Sequence, residues 1–407
     1  MKSPRACAHA PVGEAEPPPR VAGPRLRILA LTLKPEGVSP GQRFRLEQWA
    51  PHLSAHHGID LHFLPFESPQ LSALLYQRGK TALKAFWVLR DFLRRAKAVL
   101  SARHYDAVIV YREAALIGPA LYERLLARSG VPLFFDFDDA IWEDQLSPVN
   151  GLFSRLHFWG KTATTCRLAT GVIAGNSYLA AYARRHSTSV SVVPTSIDMD
   201  DYPVIAEPDA GEPFTVCWTG STTTLPLLEL ARPALERIAA QRPLRVKVIC
   251  NRPPETAIAG ADNVFLPWQA EGEAREVAGC HVGIMPLPDN SYMSGKCALK
   301  ALQFMATGRP VVLSPVGMNK DLIQSGENGF LASREDEWVE CLTGLADSPA
   351  LRARIGLAGR RTVERDYAAS VAARIFNDAV RRSAAAAASP DRFPQWRANN
   401  PQRCAAG

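Results

Sequence analysis

Two lysines one helical turn apart are the chain's clearest candidate for binding an anion. Lys296 and Lys300 lie at the start of a predicted helix, and a short apolar strand, Val282 to Met285, precedes them. Side chains four residues apart share one side of a helix, so both ammonium groups can serve one anion. Loops at the carboxyl ends of parallel strands line the ligand crevice. The pattern predicts a phosphate site; two solvated lysines are the alternative.

A second stretch has features typical of phosphate binding. Gly220-Ser221-Thr222 follows the apolar strand Thr215 to Trp218 and precedes a predicted helix. Free amides at a helix N-terminus, together with hydroxyl groups, can hold a diphosphate. The stretch matches neither GxGxxG nor a P-loop, so helix capping is the alternative. Arg252, after the next strand, is a further candidate.

Carboxylates crowd the end of the predicted strand Val131 to Phe135. Asp136, Asp138 and Asp139 follow or end it, and they cannot all be buried without partners. They could hold a metal, act as a base, or cap the following segment. His52 and His56 could share a helix face, but without a further ligand a solvated face is the favoured interpretation, and we predict no metal site.

Two more loops follow strands of the same half. The loop KPEGVSPGQRFR after the first strand contains Gly41, Arg43 and Arg45, and Arg112 follows the strand Ala107 to Tyr111. Glycine allows close approach of a ligand to the backbone. The arginines could face an anionic acceptor or solvent.

Composition narrows the class of partner. The chain has 407 residues, a formal net charge of +7 and eight cysteines spread singly. The charge favours anionic partners such as phosphates or acidic lipid surfaces, whereas no nucleic-acid-binding module is recognisable. Unpaired cysteines predict reduced thiols. With no signal peptide and no long apolar run, we expect a cytoplasmic protein, or one peripheral on the cytoplasmic face of a membrane.

Residues 71–100 predict one long amphipathic helix. An apolar set shares one face of the wheel: Ala82, Phe86, Leu89, Leu93, Ala96 and Leu100. Lys84, Trp87, Arg94 and Arg95 fall on the opposite half. Basic residues beside an aromatic ring are typical of a helix that lies on anionic headgroups. We assign Lys84, Trp87 and Arg94 to a membrane-facing surface, with a solvated face as the alternative.

Strands alternate with helices twice, which predicts two parallel sheets. The polar, proline-punctuated stretch DYPVIAEPDAGEP separates the two series. The expected segments are a disordered tail (1–25), an N-terminal Rossmann-like acceptor domain (26–203), a C-terminal Rossmann-like nucleotide-sugar domain (204–365), a helix crossing back (366–383) and a second disordered tail (384–407).

The chain resembles the retaining GT-B-fold glycosyltransferases of group 1, which use nucleotide sugars. The matching stretches are VGIMPL, GKCALKALQFMATGRPVV, SPVGMNKDLI and GENGFLA, while DFDDAIW and WTGSTTT resemble bacterial members that build cell-surface polysaccharides. The resemblance implies two Rossmann-like α/β domains of doubly wound parallel sheet that face each other across a cleft. It also implies a UDP- or GDP-linked sugar donor, a cell-envelope glycan or lipid-linked acceptor, and no obligatory metal.

Roles follow from this resemblance, position by position. The implied donor-binding residues are Gly220, Ser221, Thr222, Arg252, Lys296, Lys300 and Gln303. The acceptor-binding candidates are Gly41, Arg43 and Arg112, and the catalytic ones are Asp138, Asp139 and Lys296. The chain departs from the family where two glutamates eight residues apart are usual, because Gly295 and Gln303 stand there. The family's Arg and Lys after the first strand of this domain are replaced by Thr222 to Thr224.

These departures keep two alternatives open. The chain could be a catalytically silent GT-B-like protein that binds a nucleotide sugar or a partner. Asp136-Phe137-Asp138 also spells DxD, the metal-holding pattern of another glycosyltransferase fold, although three letters are a weak signal.

Overall fold

The first half of the chain folds into one parallel sheet. A computed structural model describes residues 25–75, 77, 79–143, 158, 160–208 and 211–387. The strands of this sheet are β1 (Leu26–Thr32), β2 (Ile59–Pro65), β3 (Ala107–Tyr111), β4 (Leu133–Phe137), β5 (Gly171–Ala174) and β6 (Val190–Val192). They are ordered β2-β1-β3-β4-β5-β6, with parallel pairing throughout. The central strands β1, β3 and β4 are almost entirely buried, as expected of a parallel sheet covered on both faces.

The second half repeats this design. Its strands are β7 (Phe214–Thr219), β8 (Leu244–Cys250), β9 (Asp262–Pro267), β10 (Val282–Met285), β11 (Val311–Leu313) and β12 (Phe330–Leu331). They pair in parallel in the order β12-β11-β10-β7-β8-β9. The predicted fold class, two doubly wound parallel sheets, is present.

Helices connect the strands. In the first half they are α1 (Pro40–Gln42), α2 (Gln48–His52), α3 (Pro69–Leu75), α4 (Thr81–Ser101), α5 (Leu121–Arg128), α6 (Lys161–Leu168) and α7 (Ser177–Arg184). The second half has α8 (Arg232–Ala239), α9 (Glu273–Ala278), α10 (Ser291–Ser294), α11 (Leu299–Ala306), α12 (Met318–Leu322), α13 (Glu335–Asp347), α14 (Pro349–Thr362) and α15 (Ala369–Ala387). The described residues also form π-helical turns (Arg43–Glu47, Leu53–His57, Val363–Tyr367) and 3-10 turns (Ala102–His104, Met199–Asp201, Leu225–Leu230).

Each sheet has a switch point, where the chain leaves adjacent strands in opposite directions. In the first sheet it lies between β1 and β3, and in the second between β7 and β10. Ligands of open α/β sheets bind beyond the carboxyl ends of strands at such points. Gly41 follows β1, Arg112 follows β3, Gly220 follows β7 and Lys296 follows β10, so both switch points carry predicted site residues.

The last helix, α15, packs on the first sheet. Phe376 is fully buried, and its ring lies 5.6 Å from that of Trp49. The helix continues to Ala387, past residue 384 where a disordered tail was predicted. Residues 1–24 and 388–407 of the two predicted tails lie outside the described residues.

The long amphipathic segment differs from the prediction in two ways. It is broken into α3 and α4, with Lys80 at a positive φ of 55° before the second helix. The basic half of the wheel lies against the protein: Arg95 is buried, Trp87 packs on the core, and Arg94 donates to the carbonyl of Phe66. In the described part of the chain, no helix combines the length and apolar composition that a bilayer crossing requires.

Candidate active site

One side chain from the second half of the chain and two from the first half meet at the interface between the halves. Lys296 Nζ lies 2.8 Å from Asp139 Oδ1, and Arg112 Nη2 donates to Asp139 Oδ2 at 2.7 Å. Both cations follow strands at the switch points, and Asp139 follows β4. The fold therefore brings together three residues that the sequence analysis singled out separately.

Asp138 lies beside this group but is more enclosed. Its Oδ1 accepts from Tyr111 Oη at 2.8 Å and from Arg112 Nε at 2.7 Å. A Cβ added to Gly41 would lie 2.6 Å from Asp138 Oδ2. A side chain at position 41, within α1, would therefore displace the ends of the Asp138, Tyr111 and Arg112 side chains.

These contacts set the charge states. Burial is the largest single influence on Asp138 and would raise its pKa, but Arg112, Arg45 and the Tyr111 hydroxyl together outweigh burial and lower the pKa. Burial would lower the pKa of Lys296, yet the Asp139 carboxylate raises it to about 12. Asp138 and Lys296 are thus both charged near neutral pH, which makes Asp138 a weak base.

Lys300 lies in a different environment from Lys296. Its ammonium group donates to Thr224 Oγ1 at 3.1 Å and lies 4.4 Å from the centre of the Trp218 ring. Gly220 is directly adjacent, and a side chain there would collide with the ammonium group. Among the described residues, no carboxylate lies within ion-pair distance of Lys300. Burial, and then the charge of Lys296, lower its pKa to about 7.

Two non-glycine residues at the site have left-handed backbones. Arg112 has φ of 60° and Ala298 has φ of 53°. Such conformations cost energy and concentrate at functional sites. Here one ends β3 so that its guanidinium turns into the site, and the other lies between the two lysines, just before α11.

The residue at the first missing glutamate position is explained by packing. A Cβ on Gly295 would lie 2.8 Å from the backbone nitrogen and from the Cβ of Ala140 in the opposite half. Asn176 Nδ2 fixes the same loop by donating to the carbonyls of Gly295 (3.2 Å) and Lys296 (3.1 Å). The loop after β4 fills the space that a glutamate would need.

The residue at the second missing glutamate position, Gln303, also makes a contact within the protein. Gln303 is buried, and its Nε2 donates to Tyr202 Oη at 2.8 Å. Tyr202 lies in the stretch between the sheets. The amide predicted to hold the donor is thus tied to this stretch by one of its hydrogen bonds.

The other predicted donor residues lie more openly. Ser221 is exposed, and its amide donates to Thr224 Oγ1 at 3.1 Å. Thr222 is partly buried beside it. A 3-10 turn, Leu225–Leu230, follows this loop and leads into the helix α8. Arg252 is on an exposed loop, where its guanidinium contacts Glu255 at 3.4 Å.

Two arginines of the π-helical turn Arg43–Glu47 pair with carboxylates. Arg43 Nη2 contacts Glu273 Oε2 of the second half at 2.5 Å, beside a cavity of about 1010 Å³. Arg45, which could have faced an acceptor, is fully buried and pairs with Asp136 at 2.5 Å. Because Asp136 and Asp138 each bind a guanidinium, the DxD letters serve internal ion pairs.

Several contributing residues were missed by sequence reasoning. Thr224 was noted only as a departure from the family. Asn176 caps α7 by accepting from Leu179 N at 2.8 Å, and its amide NH2 reaches the opposite half. Tyr111 and Trp218 were assigned to strands only. Their contacts join residues far apart in the chain, so no local pattern indicates them.

Comparison with known proteins supports the sequence-based fold and class. The family model described as glycosyl transferases group 1 matches residues 214–348. This match confirms the predicted class of enzyme, a glycosyltransferase. No curated protein matches the chain significantly.

Solved structures share the architecture of nearly the whole chain. Sucrose-phosphate synthase from Thermosynechococcus elongatus has a TM-score of 0.65 at 16% identity, covering 89% of this chain and 100% of that one. Anabaena HepE, in complex with UDP and glucose, gives 0.58 at 14% over 88% and 100%. The apo lipopolysaccharide outer core galactosyltransferase WaaB gives 0.59 at 16% over 88% and 99%. The predicted GT-B fold is confirmed.

Proposed function

We propose that this glycosyltransferase moves a sugar from a UDP- or GDP-linked donor to a glycan or lipid-linked acceptor of the cell envelope, with retention. Residues 204–365 would hold the donor and residues 26–203 the acceptor. HepE, which shares the fold, is recorded with UDP and glucose, which favours a nucleotide-sugar donor here.

The observation that carries the proposal is the environment of Lys300. A cation without a carboxylate partner, among the described residues, faces the glycine-bearing loop at Gly220. Thr224 and Trp218 hold the ammonium group in place. An anion at this loop would satisfy the charge, and the diphosphate of a nucleotide sugar has the required chemistry.

Lys296 would differ from Lys300 in its charge environment before the donor binds. Its charge is shared with Asp139 before any donor binds. As the bond between the sugar and the diphosphate breaks, negative charge develops on the leaving oxygen, and Lys296 and Lys300 would both stabilise it. Asp139 keeps Lys296 protonated and oriented.

Retention is supported by the state of Asp138. Its lowered pKa and two hydrogen bonds make it a poor base for the acceptor hydroxyl. A departing diphosphate oxygen can take that proton instead. The sugar–phosphate C–O bond breaks, the acceptor oxygen bonds to the same carbon from the same face, and the proton ends on the phosphate.

The location would be the cytoplasmic face of an anionic membrane, where lipid-linked acceptors are presented. The formal net charge of +7 supports this setting. No metal is required, because two lysines take the role of a divalent cation at the diphosphate.

The experiment is donor binding and transfer with a panel of UDP- and GDP-sugars. Lys300→Ala should weaken donor binding by about 10- to 100-fold, as expected for a lost charge-assisted contact of about 1.5–3 kcal/mol. Lys320→Ala, which removes an exposed lysine of α12, should change nothing. Unaltered donor binding in Lys300→Ala would refute the proposed donor site.

A silent nucleotide-sugar-binding protein is the second candidate. It is favoured by the loss of both glutamates and by Ala140 filling the space at Gly295. Binding of a nucleotide sugar without hydrolysis or transfer for any donor would establish it. A retained anomeric configuration in the product, read by NMR, would establish the transferase. Activity that disappears in chelator would instead support the DxD metal reading.

A further inference from the structure

Helix α4 presents its apolar side to the outside. The side chains of Phe86, Leu89, Leu93 and Leu100 are 59%, 62%, 60% and 74% exposed. Their spacing of three, four and seven residues places them on one helix face, which we call the α4 stripe. The opposite face is buried and contains Asp91 and Arg95. Among the residues that the structure describes, none covers this apolar face over most of the length of the helix.

The neighbouring helix α5 also exposes apolar side chains. Tyr122 Oη donates to the carbonyl of Phe92 at 2.6 Å and joins the two helices. Leu121 and Leu125 of α5 are 55% and 40% exposed. Two adjacent helices therefore expose leucines, which is unusual unless something covers them.

The exposed charges of α4 and α5 are all of one sign. The only acidic residues of α4 and α5, Asp91 and Glu123, are both buried. Arg90 and Lys97 flank the stripe on its exposed side, while Arg124 and Arg128 are exposed on α5. Exposed apolar side chains beside cations complement an anionic lipid surface. A second copy of the chain would bring like charges together.

Helix α4 also reaches the edge of the sheet where the candidate site lies. Arg95 donates to the carbonyls of Thr32 (2.7 Å) and Leu64 (3.0 Å), at the carboxyl ends of β1 and β2. Ser68, beyond β2, donates its amide to Asp91 at 2.8 Å. The N-terminal turns of α4 therefore extend past the strands, on the edge that carries Gly41 and Arg112.

We propose that the α4 stripe, with the exposed cations of α4 and α5, docks this protein on an anionic lipid bilayer. Its apolar side chains would enter the headgroup region, while Arg90 and Lys97 meet lipid phosphates. The inference deepens the proposed membrane location and replaces the surface of Lys84, Trp87 and Arg94, whose side chains make contacts within the protein.

Co-sedimentation of the full chain with vesicles tests this surface. The wild type should bind phosphatidylglycerol vesicles, bind phosphatidylcholine vesicles far less, and lose binding as salt rises. Leu89→Glu/Leu93→Glu should weaken binding by about tenfold or more, and Arg90→Glu/Lys97→Glu similarly. The matched control is Leu230→Glu/Leu357→Glu, at leucines 50% and 54% exposed in the second half, which should bind like the wild type.

Three results would overturn the proposal. The first is absence of wild-type binding to anionic vesicles, and the second is an equal loss of binding in the control variant. The third is a concentration-dependent dimer in ultracentrifugation that Leu89→Glu/Leu93→Glu abolishes, which would assign the stripe to a second copy. Donor binding by the stripe variants, measured without vesicles, should stay unchanged, so failure here is separable from failure of the proposed donor site.

Discussion

At the scale of residues, the two lysines that look alike in sequence differ in charge environment. Lys296 has a carboxylate partner, and its pKa rises to about 12, whereas burial lowers that of Lys300 to about 7. Their spacing indicated a shared anion, but only the fold assigns Asp139 to one of them. A sequence cannot supply that assignment, because residues 139 and 296 are brought together by the fold alone.

This difference predicts that donor affinity depends on pH through Lys300. The diphosphate of a UDP-sugar keeps a constant charge between about pH 6 and 9. In the protein without bound donor, however, Lys300 loses its proton above about pH 7. The dissociation constant should therefore rise, by up to about tenfold per pH unit, above pH 7. Lys300→Arg should remove this dependence, because a guanidinium stays charged. Calorimetric titration across this range checks it; a flat wild-type profile would contradict the role of Lys300.

The lowered pKa of Lys300 also makes the free energy of unfolding depend on pH, in a direction that can be stated. The pKa of Lys300 is lower in the folded chain than its ordinary 10.5, so the unfolded chain binds more protons between these values. This group's contribution to the free energy of unfolding then increases from about pH 7 towards pH 10.5. Saturating UDP-sugar should reduce that slope by keeping Lys300 protonated.

At the scale of elements, buried parallel strands were predictable because they read as continuous apolar runs. β3 and β10 have the predicted bounds. β4 was placed too early, since it continues to Phe137 and includes Asp136. A carboxylate inside a buried strand depends on Arg45, which comes from another element of the fold. The outward face of α4 was missed for a related reason: Asp91 and Arg95 have partners on β1 and the β2 loop.

The loop before α11 allows a prediction about the fit between the two halves. Gly295→Ala places a methyl group 2.8 Å from Ala140, so the halves must separate slightly. Donor binding, which depends on residues of the second half, should change little, while transfer should fall by about tenfold or more. Steady-state transfer rates with separately measured donor affinity distinguish these effects.

Gly344→Ala is the matched control for that substitution. Position 344 lies within α13 with nothing within 4 Å of an added Cβ. It should stabilise the protein by about 0.5–1 kcal/mol without changing transfer. Equal transfer by both variants would show that the tight contact at Gly295 has no part in the reaction.

At the scale of the whole molecule, the chain passes between the two halves at two places, and these two segments lie side by side. Ile197 N donates to the Tyr367 carbonyl at 2.9 Å, and Ala369 N donates to the Ile197 carbonyl at 2.8 Å. Away from these crossings the halves meet through polar pairs, including Lys296–Asp139, Arg43–Glu273 and Ser291–Glu143. Apolar side chains of both halves, among them Ala140 and Cys297, also belong to one buried cluster. Opening and closing of the halves around a donor would therefore have to break polar pairs and shift apolar contacts.

The Arg43–Glu273 pair tests whether closure excludes water. Arg43 was predicted to contact the acceptor, yet its guanidinium pairs with Glu273 of α9. Trp268 Nε1 also donates to Glu273, at 2.8 Å. If the pair holds the halves together, Arg43→Ala and Glu273→Gln should both raise donor hydrolysis relative to transfer, by about tenfold, and the double variant should add little. Arg275→Ala, on the exposed side of α9, is the control. A raised acceptor KM in Arg43→Ala alone, with hydrolysis unchanged in Glu273→Gln, would instead establish Arg43 as an acceptor contact.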